Sequence, residues 1–201
     1  SSVSTLSWKG DCIILKTGEG ILHISSDTLE TRTLVESPHR GAIRAIRAHP
    51  FLPIIATTDM RAVALWSTKC DRVNGIKNIF ANTLSQCLAK YVFRTQDECG
   101  GGCCLDFHPS MKACLLALGT RSGALMTLEY HNYDVGASSG VESGSFESLR
   151  EMQRIECSDQ SSAKNRHTNE WLCLRFSPNG KQLAGSCRGD TRIFLFVVST
   201  E

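Results

Sequence analysis

Residues 102–129 read GCCLDFHPSMKACLLALGTRSGALMTLE and contain three apolar runs separated by two turns. The first run ends at His108-Pro109, where proline ends a strand because it has no backbone N–H to donate to a ladder. The second run, Cys114–Thr120, closes with small residues before a tight turn, and the third run is Ala124–Glu129. Short apolar runs bounded by turn residues predict three antiparallel β-strands in succession.

The same order of runs and turns recurs along the chain. Two more copies, at residues 42–67 and 170–198, each begin with a run that closes at His49-Pro50 or Ser177-Pro178. A second run ending in small residues and a third run follow in both copies. A degenerate fourth copy leads the chain and consists of Val3–Trp8, Cys12–Leu15 and Ile21–Ile24. An internal repeat of this kind indicates a fold built from repeated sheets.

The spacing of the copies identifies the kind of repeat. Equivalent positions are Trp8, Ala48, Phe107 and Phe176, at steps of 40, 59 and 69 residues. The first step matches the period of about 40–45 residues that is typical of WD repeats, and the longer steps require insertions. We place insertions at residues 132–150 and 158–169. Candidate outer strands are Lys90–Arg94 and Met152–Cys157.

The repeats therefore predict an all-β WD-repeat β-propeller of about four blades, in the form of an arc or partial propeller. The blades are assigned to residues 3–36, 42–95, 102–157 and 170–199. A generic antiparallel sandwich is the alternative, and three copies with one order of strands and turns count against it. The last blade is expected to lack its outer strand. Phe194, Phe196 and Val198 would then lie along an unpaired edge, which predicts self-association through open blade edges.

Composition limits the classes of partner. The 201 residues are 41% hydrophobic and 21% charged, with a net charge of +2. This balance excludes a strongly basic nucleic-acid arm and a strongly acidic tail. No run approaches the roughly 20 apolar residues of a membrane span, and Ser1–Lys9 has no signal-peptide pattern. We expect neither nucleic acid nor membrane as a partner, and a cytoplasmic location.

Ten cysteines are spread along the chain, and no two are spaced as in the C-x2-C steps of zinc sites. The densest cluster is Cys99, Cys103 and Cys104 with His108. Several other cysteines, such as Cys173 between two leucines, lie inside apolar runs where free cysteine acts as a small hydrophobe. We interpret them as reduced structural thiols, with a metal site and disulfides as the alternatives.

Nothing in the pattern predicts catalysis. His49 and His108 stand at equivalent repeat positions, which is typical of residues that serve the repeat itself. Gly100–Gly102 precedes a strand instead of opening a helix, so it is interpreted as a flexible connection and not as a phosphate-binding loop. We predict a protein that is not an enzyme and takes no cofactor. A metal- or thiol-dependent enzyme is the least favoured alternative.

The ordered repeats resemble the echinoderm microtubule-associated protein-like family, a branch of the WD-repeat proteins. Four segments carry the resemblance: 6–15, 49–67, 106–123 and 175–199. The most specific are Ser7-Trp8-Lys9-Gly10 and Asp106-Phe107-His108-Pro109-Ser110. The family's coiled coil, basic region and hydrophobic motif have no counterpart here. Blade 2 is also expected to lack the acidic turn residue of regular WD repeats.

The resemblance implies a non-enzymatic microtubule-associated scaffold with tubulin as its partner. It also implies a location at the cytoskeleton, cilium or flagellum included. A WD-repeat adaptor in an unrelated multiprotein complex is the alternative. Propellers bind partners through loops at one face, and arginine recurs in those loops. Since arginine suits carboxylates and tubulin is acidic, we assign partner binding to this surface, with solvated turns as the alternative. The candidate residues are His39, Arg40, Asp59, Arg61, Arg121 and Arg188.

Overall fold

The structure is a computed structural model. It describes residues 41–52, 54–67, 87–93, 100–110, 112–130, 149–156 and 170–199, together with the backbone of four strands between residues 5 and 36. These residues contain β-strands and turns and no helix.

The strands form four sheets in chain order, and each strand is antiparallel to the next. Sheet 1 consists of β1 (Thr5–Lys9), β2 (Cys12–Lys16), β3 (Gly20–Ser25) and β4 (Thr31–Glu36). Sheet 2 consists of β5 (Ala45–Ala48), β6 (Ile54–Thr58), β7 (Ala62–Ser67) and β8 (Cys87–Val92). Sheet 3 consists of β9 (Gly102–Phe107), β10 (Leu115–Thr120), β11 (Ala124–Glu129) and β12 (Arg150–Glu156). Sheet 4 consists of β13 (Trp171–Phe176), β14 (Gln182–Cys187) and β15 (Ile193–Val197).

The first strands of successive sheets pack beside one another. β1 contacts β5, β5 contacts β9, and β9 contacts β13. β9 and β13 also contact the second strand of the preceding sheet, β6 and β10 respectively. Sheets that follow one another in chain order, with their first strands side by side on the inside, are the blades of a β-propeller. The predicted all-β partial propeller is thus confirmed, with each sheet forming one blade.

The outer strands begin earlier than the sequence predicts. β8 starts at Cys87, three residues before the expected Lys90, and β12 starts at Arg150 instead of Met152. Leu149, placed within the insertion at 132–150, is buried in the core. The rest of that insertion up to residue 148, and all of the insertion at 158–169, lie outside the described residues.

Both faces of blade 3 are buried, because a blade packs between two neighbours. Leu105 and Leu118 belong to a cluster shared with blade 2, which contributes Val63 and Leu65. Cys104, the residue next to Leu105, belongs instead to a cluster shared with blade 4. Alternating side chains thus enter opposite interfaces. This double burial explains why the strands read as continuous apolar runs and not as alternating ones.

In blade 4, the side chains of the last strand differ in exposure from the prediction. The side chains of Phe194, Phe196 and Val198 are not exposed along the edge strand as expected, because all three pack against the core. The rings of Phe194 and Phe196 lie 5.6 and 6.0 Å from the Trp171 ring. The exposed side chains of β15 are Ile193, Leu195 and Val197. The period of two fixes this outcome, since a strand that turns its phenylalanines inward must turn the intervening residues outward. Self-association stays a prediction.

The environments of the cysteines differ enough to be distinguished by labelling. Cys173 is exposed, whereas Cys104 and Cys187 are buried, and burial raises the pKa of Cys104 far above its usual range. Because the thiolate is the reactive form, we expect a maleimide to label Cys173 in the folded protein and to reach Cys104 only after unfolding. Peptide mass spectrometry after timed labelling measures this order. Equal labelling rates at the two sites would contradict the burial described here.

Candidate protein-binding surface

The turns between the second and third strands lie at one end of the blades, beside the starts of the inner strands. We call this end the turn face and define it by residues 59–61, 121–123 and 188–190. Backbone hydrogen bonds attach each turn to the first residue of an inner strand or to the residue just before it: Gly102 N donates to Asp59 O (3.1 Å), Arg121 N to Gly101 O (3.0 Å) and Arg188 N to Glu170 O (2.8 Å).

Three of the predicted arginines lie on the turn face. Arg61 and Arg188 are exposed, and Arg121 is half-buried. They belong to blades 2, 3 and 4, so the repeat places one arginine in each of three adjacent turns. Two other predicted residues, His39 and Arg40, lie outside the described residues.

Asp59 lies within its turn and not on the surface. Its side chain is buried, at 1% exposure, and Oδ1 accepts hydrogen bonds from the backbone N–H groups of Arg61 and Ala62, both at 2.7 Å. An aspartate that accepts from the backbone two and three residues ahead stabilises a tight turn. Blade 2 therefore has the acidic turn residue that it was expected to lack, and Asp59 shapes the turn that presents Arg61.

Buried threonines stabilise the turns of blades 2 and 3 through hydrogen bonds to the backbone. Thr58 Oγ1 donates to Ala62 O and Thr120 Oγ1 donates to Ala124 O, both at 3.1 Å, at equivalent positions of blades 2 and 3. In blade 2, Trp66 Nε1 also donates to Thr57 Oγ1 at 2.8 Å. This hydrogen bond joins the third strand of blade 2 to its second strand.

The three glycines at the start of β9, Gly100–Gly102, form a close contact and not the flexible connection that their composition suggests. A Cβ at Gly101 would lie 2.3 Å from Met60 Cα, and a Cβ at Gly102 would lie 2.2 Å from Thr58 Oγ1. The chain therefore enters blade 3 directly against the turn of blade 2. Only glycine allows two backbones to approach this closely.

An ion-pair network that the sequence analysis missed crosses the starts of the inner strands. The carboxylate of Glu170 lies between two guanidinium groups, with Arg44 Nη1 at 3.3 Å from Oε1 and Arg188 Nη1 at 3.3 Å from Oε2. Cys103 Sγ donates to Glu170 Oε1 at 3.3 Å. Burial, with the hydrogen bond to Glu170, raises the pKa of Cys103 to about 11, so its thiol stays protonated. The sequence alignment could have indicated Arg44 and Cys103, because both stand near the start of the first strand of their repeat.

The buried histidines have structural partners. His49 Nδ1 accepts from the N–H groups of Phe51 (3.0 Å) and Leu52 (2.8 Å), and His108 Nδ1 accepts from Ser110 N (3.1 Å). Both side chains therefore fix the proline turns after β5 and β9. In the part of the chain that the structure describes, no three His, Cys, Asp or Glu residues are grouped as metal ligands. The described residues also include no helix able to cross a membrane.

Comparisons with known proteins show the architecture alone. No protein-family model matches the sequence, and no curated protein matches it. A chain in the crystal structure of the mitotic checkpoint complex superposes with a TM-score of 0.63 and 14% identity, covering all of this chain. This chain spans 50% of that chain's length. Since 482 solved chains match, the likeness identifies a widely used fold and no particular function. The chain is thus an arc of β-propeller blades.

Proposed function

We propose that this chain is a non-enzymatic scaffold that binds an acidic surface of a protein partner through the turn face. We further propose that the partner is tubulin in microtubules, as the resemblance to the echinoderm microtubule-associated protein-like family implies. The observation that carries the proposal is the presence of Arg61, Arg121 and Arg188 in equivalent turns of three adjacent blades. A row of arginines at one end of an arc suits a partner with several carboxylates.

Two arginines of the turn face, Arg61 and Arg188, are accessible to a partner although each lies beside an acidic residue of this chain. Arg188 pairs with Glu170, yet 64% of its side chain is exposed while Glu170 is at 14% exposure. The carboxylate therefore orients the guanidinium from below and leaves its outer edge to solvent. Arg61 is exposed beside the buried Asp59. A partner carboxylate can approach both arginines without displacing a buried group.

A second candidate function is that of a WD-repeat adaptor in a different multiprotein complex. It uses the same turn face. Binding to purified tubulin distinguishes the two functions. A chain that binds other acidic proteins and never sediments with microtubules would be an adaptor.

Reversal of two turn-face charges is expected to weaken microtubule binding. Each exposed ion pair contributes about 0.2–1 kcal/mol, so the Arg61→Glu, Arg121→Glu double variant is expected to raise the dissociation constant about tenfold. Co-sedimentation with microtubules over a salt series measures the effect, and wild-type binding should also fall as salt rises. Arg188 is left unchanged because a glutamate there would face Glu170.

The matched control is the Lys112→Glu, Lys181→Glu double variant. Both lysines are exposed in turns between first and second strands, at the opposite end of the blades, and the net charge changes by the same amount. We expect this variant to bind within about twofold of wild type. Equal loss in both double variants would mean that net charge, and not the turn face, determines binding.

A further inference from the structure

A cleft lies at the opposite end of the inner strands, where they enter the proline turns. Its volume is about 450 Å³, and it spans blades 2, 3 and 4. Charged side chains and aromatic rings line it, among them Arg47, Asp106, Arg175, Phe107 and Phe176. We call it the proline-end cleft. Neither the turn face nor the Glu170 network extends to it.

The repeat brings the three charged residues together. Arg47, Asp106 and Arg175 each stand three residues before the proline that follows the first strand of their blade. Equivalent positions of adjacent strands point to the same side of the arc. The signs therefore alternate across the cleft as positive, negative and positive, and the cleft has one positive charge in excess.

The central carboxylate does not satisfy the two guanidinium groups. Asp106 Oδ1 lies 3.9 Å from Arg47 Nε and 3.6 Å from Arg175 Nη1, which is beyond ordinary hydrogen-bond distance. Asp106 Oδ2 accepts instead from the backbone N–H of Phe176 at 2.8 Å. Each arginine instead donates from Nη1 to the backbone carbonyl of the residue before it. Arg47 Nη1 donates to Ile46 O at 3.1 Å, and Arg175 Nη1 donates to Leu174 O at 2.9 Å.

Arg47 has an N–H donor without an acceptor. Its Nε is buried and makes no hydrogen bond to any residue that the structure describes. Burial lowers the pKa of Arg47, and the nearby charge of Arg175 lowers it further. A buried charged donor without an acceptor is unfavourable, so a further negative charge at the cleft would stabilise the Arg47 guanidinium.

We propose that the proline-end cleft binds a carboxylate of an acidic peptide segment of a partner protein. The carboxylate lies over the partly exposed guanidinium groups of Arg47 and Arg175, on the solvent side of Asp106, and accepts from their Nη donors. One excess positive charge matches a single carboxylate. The apolar walls formed by Phe107 and Phe176 suit the methylene stem of a glutamate side chain.

Peptide binding to the full chain tests the site. The probe is a fluorescein-labelled hexaglutamate peptide followed by fluorescence anisotropy, with a hexaglutamine peptide as the uncharged reference. Arg47→Gln is expected to raise the dissociation constant at least tenfold. Asp106→Asn is expected to lower it several-fold, because the substitution removes the repelling charge and leaves a carbonyl oxygen to accept from Phe176 N.

The control variants repeat the same charge changes elsewhere. Arg154→Gln and Glu151→Gln alter an ion pair on β12, at the outer edge of blade 3, and both are expected to bind the peptide within twofold of wild type. Urea unfolding of every variant shows whether it folds as wild type does. Opposite effects of Arg47→Gln and Asp106→Asn, with unchanged controls, support the site.

Several results would overturn the proposal. One is absence of hexaglutamate binding, and another is weaker binding after Asp106→Asn. Tighter binding of a phosphoserine peptide would exclude the carboxylate assignment. Loss of hexaglutamate binding in the Arg61→Glu, Arg121→Glu variant, with no change in Arg47→Gln, would place the acidic ligand on the turn face instead. The failure of this inference is therefore distinguishable from the failure of the proposed function.

Discussion

Replacement of Trp171 by alanine is expected to lower the free energy of unfolding by about 3–5 kcal/mol. The indole is at 1% exposure and fills the space between blades 3 and 4. A Cβ at Gly119 would lie 2.5 Å from Trp171 Cβ, and a Cβ at Gly185 would lie 2.4 Å from Trp171 Cζ3. Both glycines thus leave their volume to this one side chain. Its loss would leave a cavity in this interface.

The hydrogen bond of the indole adds to this loss. Trp171 Nε1 donates to Gly123 O at 2.9 Å, from the first strand of blade 4 to the turn of blade 3. Trp171→Phe, which removes the donor and part of the ring, should fall between wild type and Trp171→Ala. Leu172→Ala is the control, since Leu172 is the next residue and is exposed. Urea unfolding measures all three, and a loss below about 1 kcal/mol in Trp171→Ala would show that the interface does not depend on the indole.

Gly101→Ala is expected to be the second most destabilising substitution, with a loss of about 2–4 kcal/mol. Gly101 has φ of 82°, in the left-handed region that non-glycine residues rarely adopt. The new Cβ would lie 2.3 Å from Met60 Cα and 2.8 Å from Met60 O, which are backbone atoms and cannot rotate away. Relief of the clash requires blade 3 to move away from the turn of blade 2.

Gly100→Ala separates the two causes. Gly100 also has a left-handed backbone, with φ of 60°, but its Cβ would meet the Arg121 side chain at 3.0 Å. It carries the conformational cost with a milder contact, so its melting temperature should lie between those of wild type and Gly101→Ala. Equal melting temperatures for the two variants would mean that the backbone conformation, and not the contact with Met60, accounts for the loss.

The repeat made the strands and their order predictable, because apolar runs and proline turns are local features. The inward and outward facing of the β15 side chains was not predictable. Ile193, Phe194, Leu195 and Phe196 are all apolar, so composition does not show which pair faces inward. The large cavity-filling contact with Trp171 decides it. The close approach at Gly101 was equally hidden, since a run of glycines reads the same in a flexible link and in a tight contact.

The candidate surface was predictable only in part, for a related reason. Arginines in aligned turns can be found by counting along the repeat. Arg44 and Glu170 are 126 residues apart in sequence, and their ion pair depends on blades 2, 3 and 4 being adjacent. Asp106 and Phe176 are 70 residues apart and are joined in the same way. Pairs between blades depend on three-dimensional packing, which one sequence does not reveal.

The glycines at the blade junctions also limit which positions of this sequence can be substituted during evolution. Gly101, Gly119 and Gly185 each lie where a methyl group would come within 2.5 Å of a neighbouring blade or of the indole. Exposed positions of the strands, such as Leu195 and Val197, carry no such restriction. Selection can therefore rewrite most of the surface while the junction glycines persist. Distant relatives of this chain should be recognisable by the spacing of their junction glycines and proline turns, even where little else of the sequence is shared.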